Sequence, residues 1–335
     1  MNIQQRATLD DVARLANVSP KTVSRVFTQR DLVSAATVER VLAAAKRLKF
    51  RPNSVARNLR GGASSTVGLI IGEMLNPFYS RVATGLEKVL SEHGKTLIVA
   101  TTDDTAEGEE RVADTLLSQR VSALLMIPVG EDQSYLEGER QLGSPVIAID
   151  RPARNLVADS VVMENRNGAF EATRSLMEHG HRKIAYICNP ANVYTQVERL
   201  RGYREALAGT GKAAATPWER LIDDPAIDPV HVVSELLDIA DPPTAIIAGN
   251  NRMCVGVLRA LHGKDNPPAL IGFDDFDTAD ILGVSVVSHD AMEMGRRAGE
   301  LAMERIADPT GFTQQLVLPT RLILRGSGER PPLAS

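Results

Sequence analysis

Cysteine, aromatic side chains and long apolar runs are all scarce in this chain of 335 residues. Its two cysteines, Cys188 and Cys254, lie far apart in apolar segments, so we expect buried free thiols rather than a disulfide framework or a metal site. No stretch approaches the ~20 apolar residues that a membrane-spanning helix requires. The first residues, MNIQQRATL, contain no apolar signal core. We therefore expect a soluble cytoplasmic protein that has no membrane partner.

Motifs for catalysis are also missing. The sequence contains no glycine-rich phosphate loop, no nucleophile elbow and no pair of histidines at metal-ligand spacing. His179 and His181 bracket Gly180 at a predicted helix end, where a cation and a glycine both suit the cap. The pair Asp274 and Asp275 could form an acid/base dyad, but no catalytic partner is near it in the sequence. We expect a binding protein rather than an enzyme, with no cofactor and no bound metal.

Charge is unevenly distributed along the chain. Residues 1–60 contain 12 Lys and Arg against 4 Asp and Glu, whereas residues 61–335 contain 26 against 38. A basic head on an acidic body is expected of a nucleic-acid binder, because neutralising phosphates releases condensed counterions. The length and the 43% hydrophobic content allow two or three packed units.

The segment TLDDVARLANVSPKTVSRVF, residues 8–27, predicts two short helices joined by a tight turn. Thr8 and Asp11 have capping-box spacing at the start of the first helix. Ser19 is a suitable N-cap for the second helix, and Pro20 suits its first position, where a missing N–H has no cost.

The second predicted helix has two different faces. Val23, Val26 and Phe27 fall on one face, while Lys21 and Arg25, four residues apart, share another. The first face must pack, and the second is free to reach into a DNA major groove. An ordinary amphipathic hairpin with a solvated basic face is the alternative, and the charge distribution favours DNA binding over it.

A third helix and a short linker helix are predicted next. Ser34 is placed to cap the third helix, and in RPNSVARNLRGG, residues 51–62, Asn53 could cap a helix of about two turns ending at Arg60. So short a helix is not stable in isolation, and residues 61–65 form a flexible link. The apolar residues of the third helix are Val38, Val41, Leu42, Ala45 and Leu48.

From Val67 onward, apolar strands alternate with helices. Apolar strands separated by helices indicate parallel sheets covered on both faces. Two such series in tandem predict two α/β lobes with a cleft between them, and the ligand crevice of such sheets lies at the carboxyl ends of the strands. The predicted strands are VGLIIGE, TLIVATT, ALLMIPV and PVIAID, then KIAYICN, TAIIAGN and ALIGFDD. The predicted helices lie at 79–93, 107–119, 132–142, 166–179, 195–208, 229–239 and 251–262.

Polar and aromatic residues cluster at the ends of these predicted strands. Any one of them is more often a turn or cap residue, but the set as a whole indicates a ligand crevice. Its members are Asn76, Phe78, Tyr79, Asp103, Asp104, Asp150, Arg151, Asn250, Asp274 and Asp275.

Together these stretches resemble the LacI/GalR family of bacterial transcriptional regulators over about residues 7–326. The motifs that carry the resemblance are TLDDVARLANVS and TVSRV, PNSVARNL, NPFY at 76–79, IDR at 149–151, RLRGY at 199–203 and IGFDD at 271–275. It implies an all-α helix-turn-helix headpiece with a hinge helix, joined to an α/β core of two tandem parallel-sheet lobes like that of periplasmic binding proteins. The implied domains are a headpiece at 1–50, a hinge helix and linker at 51–65, and a core at 66–335. The lobes of that core would comprise about 66–162 plus 291–318, and 163–290 plus 319–330.

By the same resemblance, the chain is a homodimer that binds a pseudo-palindromic operator in double-stranded DNA. Lys21 and Arg25 would carry most of the direct base contacts, since Pro20 has no side-chain donor. Leu59 matches a hinge leucine that wedges into the minor groove, although it could instead pack as a linker residue. The implied DNA-binding residues are Thr8, Ser19, Pro20, Lys21, Thr22, Ser24, Arg25, Asn53, Ala56, Arg57, Leu59 and Arg60.

The resemblance also implies a small effector in the cleft, of the kind bound by the ribose-type members. Phe78 and Tyr79 could flank the faces of a sugar ring while polar and charged residues bind its hydroxyls. The chain departs from the family pattern at three positions. Asn251 stands where an Asp is usual, His289 where sugar binders often have a Gln, and Ile127 where some members have a polar contact. The implied effector-binding residues are Asn76, Phe78, Tyr79, Asp150, Arg151, Arg199, Asn250, Asp274 and His289.

Several functional alternatives stay open at this point. Ribose, another pentose or a ribonucleoside is the expected effector, with a hexose, a sugar acid or a purine as alternatives. A corepressor-dependent repressor or an activator is an alternative to a repressor released by its effector. A sugar-binding protein with no role on DNA and an α/β enzyme of sugar metabolism are less favoured, because of the basic head and the missing catalytic set. The tail RGSGERPPLAS has no apolar heptad, so we expect a dimer rather than a tetramer.

Overall fold

The computed structural model describes residues 7–50, 64–188, 192–209, 215–224 and 227–332 of the chain. The chain divides into two compact units, Met1–Ser64 and Ser65–Ser335. Within the described residues, no helix is both long and apolar enough to cross a bilayer.

The first unit is a bundle of three helices, which confirms the helices predicted there. Val12, Val23 and Val41 are fully buried where the helices meet. Ser34 takes the N-cap position of the third helix as predicted, but its hydroxyl donates to Thr37 Oγ1 at 3.0 Å instead of accepting a backbone N–H. The helices are α1 (Leu9–Ala16), α2 (Pro20–Thr28) and α3 (Ala35–Arg47), with a 3-10 turn at Arg30–Leu32.

The second unit consists of two six-stranded sheets with helices packed on both faces of each sheet. Its described strands are β1 (Thr66–Ile71), β2 (Thr96–Thr101), β3 (Leu124–Met126), β4 (Val146–Asp150), β5 (Asp159–Met163), β6 (Ile184–Cys188), β7 (Glu219–Leu221), β8 (Ala245–Ala248), β9 (Ala269–Phe273), β10 (Ser285–Ser288), β11 (Gln315–Leu318) and β12 (Arg321–Ile323). Its described α-helices are α4 (Pro77–Glu92), α5 (Ala106–Ser118), α6 (Glu137–Gln141), α7 (Asn165–Glu178), α8 (Tyr194–Ala208), α9 (Pro229–Leu237), α10 (Asn251–Leu261) and α11 (Ala291–Ala307).

The two sheets define two lobes. Lobe 1 contains the sheet β11-β5-β4-β3-β1-β2, and lobe 2 contains the sheet β12-β10-β9-β8-β6-β7. The chain therefore passes from one lobe to the other three times, after β5, after β10 and after β11. Every described pairing in lobe 1 is parallel. In lobe 2 the edge strand β12 pairs antiparallel with β10, which departs from the fully parallel sheet that we predicted.

Several elements of the core were missing from the sequence prediction. The segment predicted as one helix at 132–142 is a 3-10 turn at Ser134–Leu136 followed by the short α6. The elements that we did not predict are β5, β7, β10, β11, β12 and α11.

Cys188 and Cys254 are buried free thiols, as predicted, and burial raises the pKa of each to about 12.

Candidate functional site

The turn between α1 and α2 is set by local hydrogen bonds. Thr8 and Asp11 form a capping box, in which Thr8 Oγ1 accepts from the Asp11 N–H at 3.3 Å and the Asp11 carboxylate accepts from the Thr8 N–H at 2.9 Å. Asn17 ends α1 with a positive φ of 53°. Ser19 then caps α2 by accepting from the Thr22 N–H at 3.1 Å. These bonds fix the direction in which α2 leaves the turn.

One face of α2 is available to a partner. Val23 and Val26 are buried, whereas Lys21 and Arg25 are exposed and have no ion pair within the described part of the headpiece. Arg14 of α1 differs from them, because it pairs with Asp11 at 3.3 Å. The exposed pair on α2 can therefore bind an anionic partner without breaking an internal bond.

The other predicted DNA-contact residues fall into two groups. The hydroxyls of Thr8, Ser19 and Thr22 already take part in the capping bonds, and Ser24 is half-buried on α2. The predicted hinge contacts lie outside the described residues. They are Asn53, Ala56, Arg57, Leu59 and Arg60.

In the second unit, polar bonds join the two lobes across the ends of their strands. Asn76 follows β1 and caps α4, and its Oδ1 accepts from the Phe78 N–H at 3.1 Å. The same Oδ1 accepts from Asn251 Nδ2 of lobe 2 at 3.0 Å. Asn250, also on the predicted list, caps α10 by accepting from the Met253 N–H at 2.8 Å. Asn76 is thus fixed by both lobes at once.

Two ion pairs accompany this bond between the lobes. Arg252 Nη1 of lobe 2 donates to Glu73 Oε1 of lobe 1 at 2.8 Å. Arg81 of α4 pairs with Asp277 of lobe 2. Among the described residues, polar contacts therefore bridge the two lobes at these three places.

Arg199 of α8 lies at the centre of the cleft network, with a side chain that is only 3% exposed. Its Nε donates to Asn165 Oδ1 at 2.8 Å, and its Nη1 donates to the Gly249 carbonyl at 2.6 Å. Its two terminal nitrogens also approach the carboxylate of Asp274 at 3.3 and 3.5 Å. Its Nη2 also lies 3.6 Å from Met163 Sδ. The five N–H donors of the guanidinium therefore each have an acceptor within the protein. Arg199 consequently holds Asp274 in place rather than offering a spare donor.

Asp150 and Asp274 end their strands in the left-handed backbone region, with φ values of 67° and 65°. Non-glycine residues rarely adopt this conformation, and such strain is concentrated at functional sites. Asp150 lies 3.5 Å from Arg151 Nε, and Asp274 lies against Arg199. Asp275, by contrast, pairs with Arg325, so the two neighbouring aspartates do not form a dyad.

The aromatic residues lie beside one another. The rings of Phe78 and Tyr79 are 5.4 Å apart and tilted by 59°, and Tyr79 belongs to the lobe 1 core. This arrangement contradicts the expectation that the two rings flank a sugar. Phe78 also contacts the ring of His289 at 5.5 Å. Burial raises the pKa of the Tyr79 hydroxyl, so it stays a neutral donor and acceptor.

His289 is the last predicted residue of the cleft, with a side chain that is 3% exposed. Its Nδ1 lies 3.6 Å from Asp274 Oδ1, and its Nε2 has no hydrogen-bond partner among the described residues. Burial lowers the pKa of the imidazole, while Asp274 and Asp150 oppose that shift. Within the described part of the chain, no three metal-ligating side chains cluster together.

The sequence prediction missed several residues that hold this site together, among them Gln196, Gly249 and the Asn165 that accepts from Arg199. Gln196 is buried in α8, where its Nε2 donates to the Gly249 carbonyl at 2.8 Å and its Oε1 accepts from Tyr186 at 2.9 Å. Its position three residues before Arg199 on one helix face was the available signal. Gly249 has no such signal, yet a Cβ there would lie 2.4 Å from Gln196 Oε1.

Comparison with known proteins gives matches over almost the whole chain. A family model described as "Bacterial regulatory proteins, lacI family" matches residues 8–53. Another, described as "Periplasmic binding proteins and sugar binding domain of LacI family", matches residues 64–323. The regulator CelR of Thermobifida fusca is 34% identical over 341 residues, which cover 98% of this chain and 100% of CelR. The ribose operon repressor of Escherichia coli strain K12 is 32% identical, covering 96% of this chain and 99% of the repressor.

Solved structures have the same architecture. A complex of CelR with cellobiose is 32% identical to this chain, with a TM-score of 0.70, and the match covers 96% of this chain and 100% of that one. The lac repressor dimer bound to operator and the anti-inducer ONPF is 25% identical, with a TM-score of 0.84 and coverage of 97% and 100%.

Proposed function

This chain belongs to the LacI family of bacterial regulatory proteins, and we propose that it is a cytoplasmic repressor whose operator binding is gated by a small sugar. The main support for DNA binding is the exposed cationic pair Lys21 and Arg25 on α2. The polar cleft between the two lobes, bridged by the bond between Asn251 and Asn76, supports the binding of a small effector. Exposed cations suit phosphates and guanine edges. The cleft, where carboxylates lie beside guanidinium groups, suits an uncharged polar ligand.

The DNA-contact role extends to all the headpiece and hinge residues that the sequence predicts. The division into a headpiece at 1–50, a hinge at 51–65 and a core at 66–335 is part of the same proposal. Sugar binding changes operator affinity only to the extent that the sugar prefers one of the two states of the protein.

A homodimer is the proposed DNA-binding species. The strongly exposed apolar side chains of the second unit include Met74 at 67%, Leu75 at 89% and Ile281 at 81%. Exposed apolar residues of this size are typical of protein interfaces. We place them in the dimer contact, and the two-fold symmetry of a dimer accounts for a pseudo-palindromic operator.

Ribose, another pentose or a ribonucleoside is the proposed effector, supported by similarity to a ribose operon repressor. A hexose or its disaccharide is the second candidate, because the CelR relative was solved with cellobiose. The effector contacts are proposed to be the nine cleft residues that the sequence predicts, with Arg199 acting by positioning Asp274.

Selection of randomised DNA duplexes by the full-length protein tests the proposal. We expect a recovered site with two inverted halves, bound by a dimer in sedimentation. The logarithm of the binding constant should fall linearly with the logarithm of the salt concentration, with a slope of about −0.9 per phosphate contact. Added sugar should shift this affinity. Recovery of no shared sequence from the selection would refute the DNA-binding role.

A further inference from the structure

Two unpaired nitrogen atoms are buried in the cleft. Among the described residues, three buried side-chain polar atoms have no hydrogen-bond partner: Arg151 Nε, His289 Nε2 and Thr102 Oγ1. The first two belong to the predicted effector site. An unsatisfied buried polar group costs about 1–3 kcal/mol, and native structures rarely retain one without a ligand or water. These two atoms therefore indicate what the missing partner must supply.

The first atom, Arg151 Nε, can only donate. A guanidinium is always protonated and has no acceptor. Asp150 Oδ2 lies 3.5 Å away, which compensates the charge, but the contact does not have the geometry of a hydrogen bond. The ligand must therefore bring an acceptor oxygen to this position.

The second atom, His289 Nε2, accepts. Burial favours the neutral imidazole by lowering its pKa, so only one ring nitrogen carries a proton. The charged groups that face the ring are Asp274, Asp150 and Asp290, which favour its protonation, and Arg199, which opposes it. Since Nδ1 is the nitrogen near Asp274 Oδ1, at 3.6 Å, the proton is favoured on Nδ1. Nε2 then presents a lone pair, and the ligand must bring a donor to it.

Arg199 and Arg151 of the cleft each already lie beside a carboxylate. Arg199 lies against Asp274 and Arg151 lies against Asp150, at 3.3 and 3.5 Å. No donor of Arg199 is left over, as described above. A carboxylate or phosphate on the ligand would meet the lone pair of His289, whereas a hydroxyl can donate to His289 and a neighbouring hydroxyl can accept from Arg151.

On the basis of the proposed function, we propose that the ligand donates a hydrogen bond to His289 Nε2 and accepts one from Arg151 Nε. This pair of hydrogen bonds selects an uncharged polyhydroxylated ligand over its carboxylate analogue at neutral pH. Acidification protonates His289 and turns its acceptor into a donor. A carboxylate oxygen can then accept from Nε2–H, as a hydroxyl oxygen also can, so the discrimination against the acid is lost.

Isothermal titration of the full-length protein with three matched pairs of probes tests this selection. The pairs are D-ribose and D-ribonate, D-glucose and D-glucuronate, and D-galactose and D-galacturonate. At about pH 8, we expect the neutral member of the bound pair to bind about tenfold to a hundredfold more tightly, equivalent to one unmatched buried polar group. The ratio should decrease towards one as the pH is lowered to the acid limit of folding. A tighter carboxylate at about pH 8, or a ratio independent of pH, overturns the proposal.

A substitution assigns the effect to the histidine. His289→Gln supplies both a donor and an acceptor and cannot titrate, so its ratio should be smaller and should no longer change as an imidazole titrates. His231→Gln is the matched control, because that side chain is 72% exposed on α9, and it should behave as the wild type. An unchanged pH-dependent ratio in His289→Gln contradicts the assignment.

Nitrogen-15 NMR of histidine-labelled protein tests the same assignment without a ligand. We expect the His289 resonances to show a protonated Nδ1 and a bare Nε2 near neutral pH, and a proton on Nε2 overturns the proposal. If none of the six probes binds, D-ribose, D-glucose and D-galactose are excluded as the effector of the proposed function, and the NMR result still decides the state of His289.

Discussion

Arginine serves opposite purposes in the headpiece and in the cleft. Arg25 on α2 is exposed and has no ion pair within the described headpiece. Arg199 on α8 is 3% exposed and is bonded through all three nitrogens to Asn165, Gly249 and Asp274. The first guanidinium is available to a partner, and the second is part of the framework that positions other groups. Residue type alone therefore does not reveal which arginine contacts a ligand.

The difference follows from where each charge is solvated. An exposed cation keeps its water until it meets a polyanion, so its contribution to binding depends on salt and little on packing. A buried cation has lost its water, and its neighbours must supply fixed acceptors. The headpiece should therefore tolerate changes in charge that the cleft does not.

The largest expected effect is on stability, from Arg199→Ala. The variant leaves the carboxylate of Asp274 without its guanidinium partner and Asn165 Oδ1 without the donor at 2.8 Å, in a largely buried site. Breaking a buried pair in this way costs about 3–5 kcal/mol. Urea unfolding of the core should show that loss. Arg201→Ala on the same helix is the control, because Arg201 is 62% exposed and pairs with Glu198. Its expected change is within about 0.5 kcal/mol, and equal losses in the two variants would remove the distinction drawn between the regions.

The next effect is on DNA selectivity, from Arg25→Ala. Loss of one arginine–guanine contact should reduce discrimination at a single base pair by about 1–3 kcal/mol. The stability of the headpiece should stay within about 0.5 kcal/mol of the wild type, because the side chain is exposed. Competition binding against operator variants measures the first quantity, and thermal unfolding measures the second.

Arg14→Ala provides the control for this prediction. Arg14 is 79% exposed on α1 and pairs with Asp11. Its substitution removes the same charge as Arg25→Ala, but from a different helix of the headpiece. We expect Arg14→Ala to weaken binding to all sequences alike and to leave the base preference unchanged. The recognition role of α2 is contradicted if Arg25→Ala gives the same uniform loss.

The headpiece was easier to predict than the core because its determinants are local. The capping box of Thr8 and Asp11 spans three residues, and the Ser19 cap with Pro20 lies directly beside the turn. The periodicity of Val23 and Val26 likewise lies within one helix. Each of these signals is visible in a window of a few residues.

The core hides some of its elements behind distant partners. β5 begins with a charged residue, Asp159, which by itself suggests a loop. In the structure Asp159 is buried because Arg305, 146 residues away, donates to its carboxylate at 2.7 and 3.0 Å. β12 has only three residues and is held by its antiparallel partner β10. No local pattern in the sequence contains either interaction.

The cleft was predictable in position but not in chemistry. Parallel strands bring their carboxyl ends to one edge of the sheet. The prediction that Asn76, Asp150 and Asp274 line the cleft therefore followed from their positions after predicted strands. Whether a polar atom is satisfied depends on pairs such as Arg199 and Gly249, 50 residues apart. The sequence therefore does not reveal that the donors of Arg199 are all used or that His289 Nε2 has no partner, because both depend on contacts between distant segments.

The smallest expected effect is on effector affinity, from an ion pair that joins the two lobes and has an exposed arginine. The ion pair of Glu73 and Arg252 joins the lobes at 2.8 Å, yet Arg252 is 67% exposed. A double-mutant cycle with Glu73→Gln and Arg252→Ala should give a coupling of about 0.2–1 kcal/mol in effector affinity. That range corresponds to a weakening of up to about fivefold in the titration. The control is Arg174→Ala, which removes a comparably exposed pair with Glu171 inside lobe 2 and should leave the affinity unchanged.

Salt separates this exposed bridge from the buried pairs of the cleft. Raising the ionic strength screens exposed charges strongly and buried charges weakly, so the coupling of Glu73 and Arg252 should vanish in high salt. The selectivity between a neutral sugar and its carboxylate analogue should persist there, because it depends on His289 Nε2 and Arg151 Nε rather than on long-range charge. If selectivity disappears together with the coupling, the cleft discriminates by the same screened electrostatics as the headpiece, and the two regions do not differ in the way proposed.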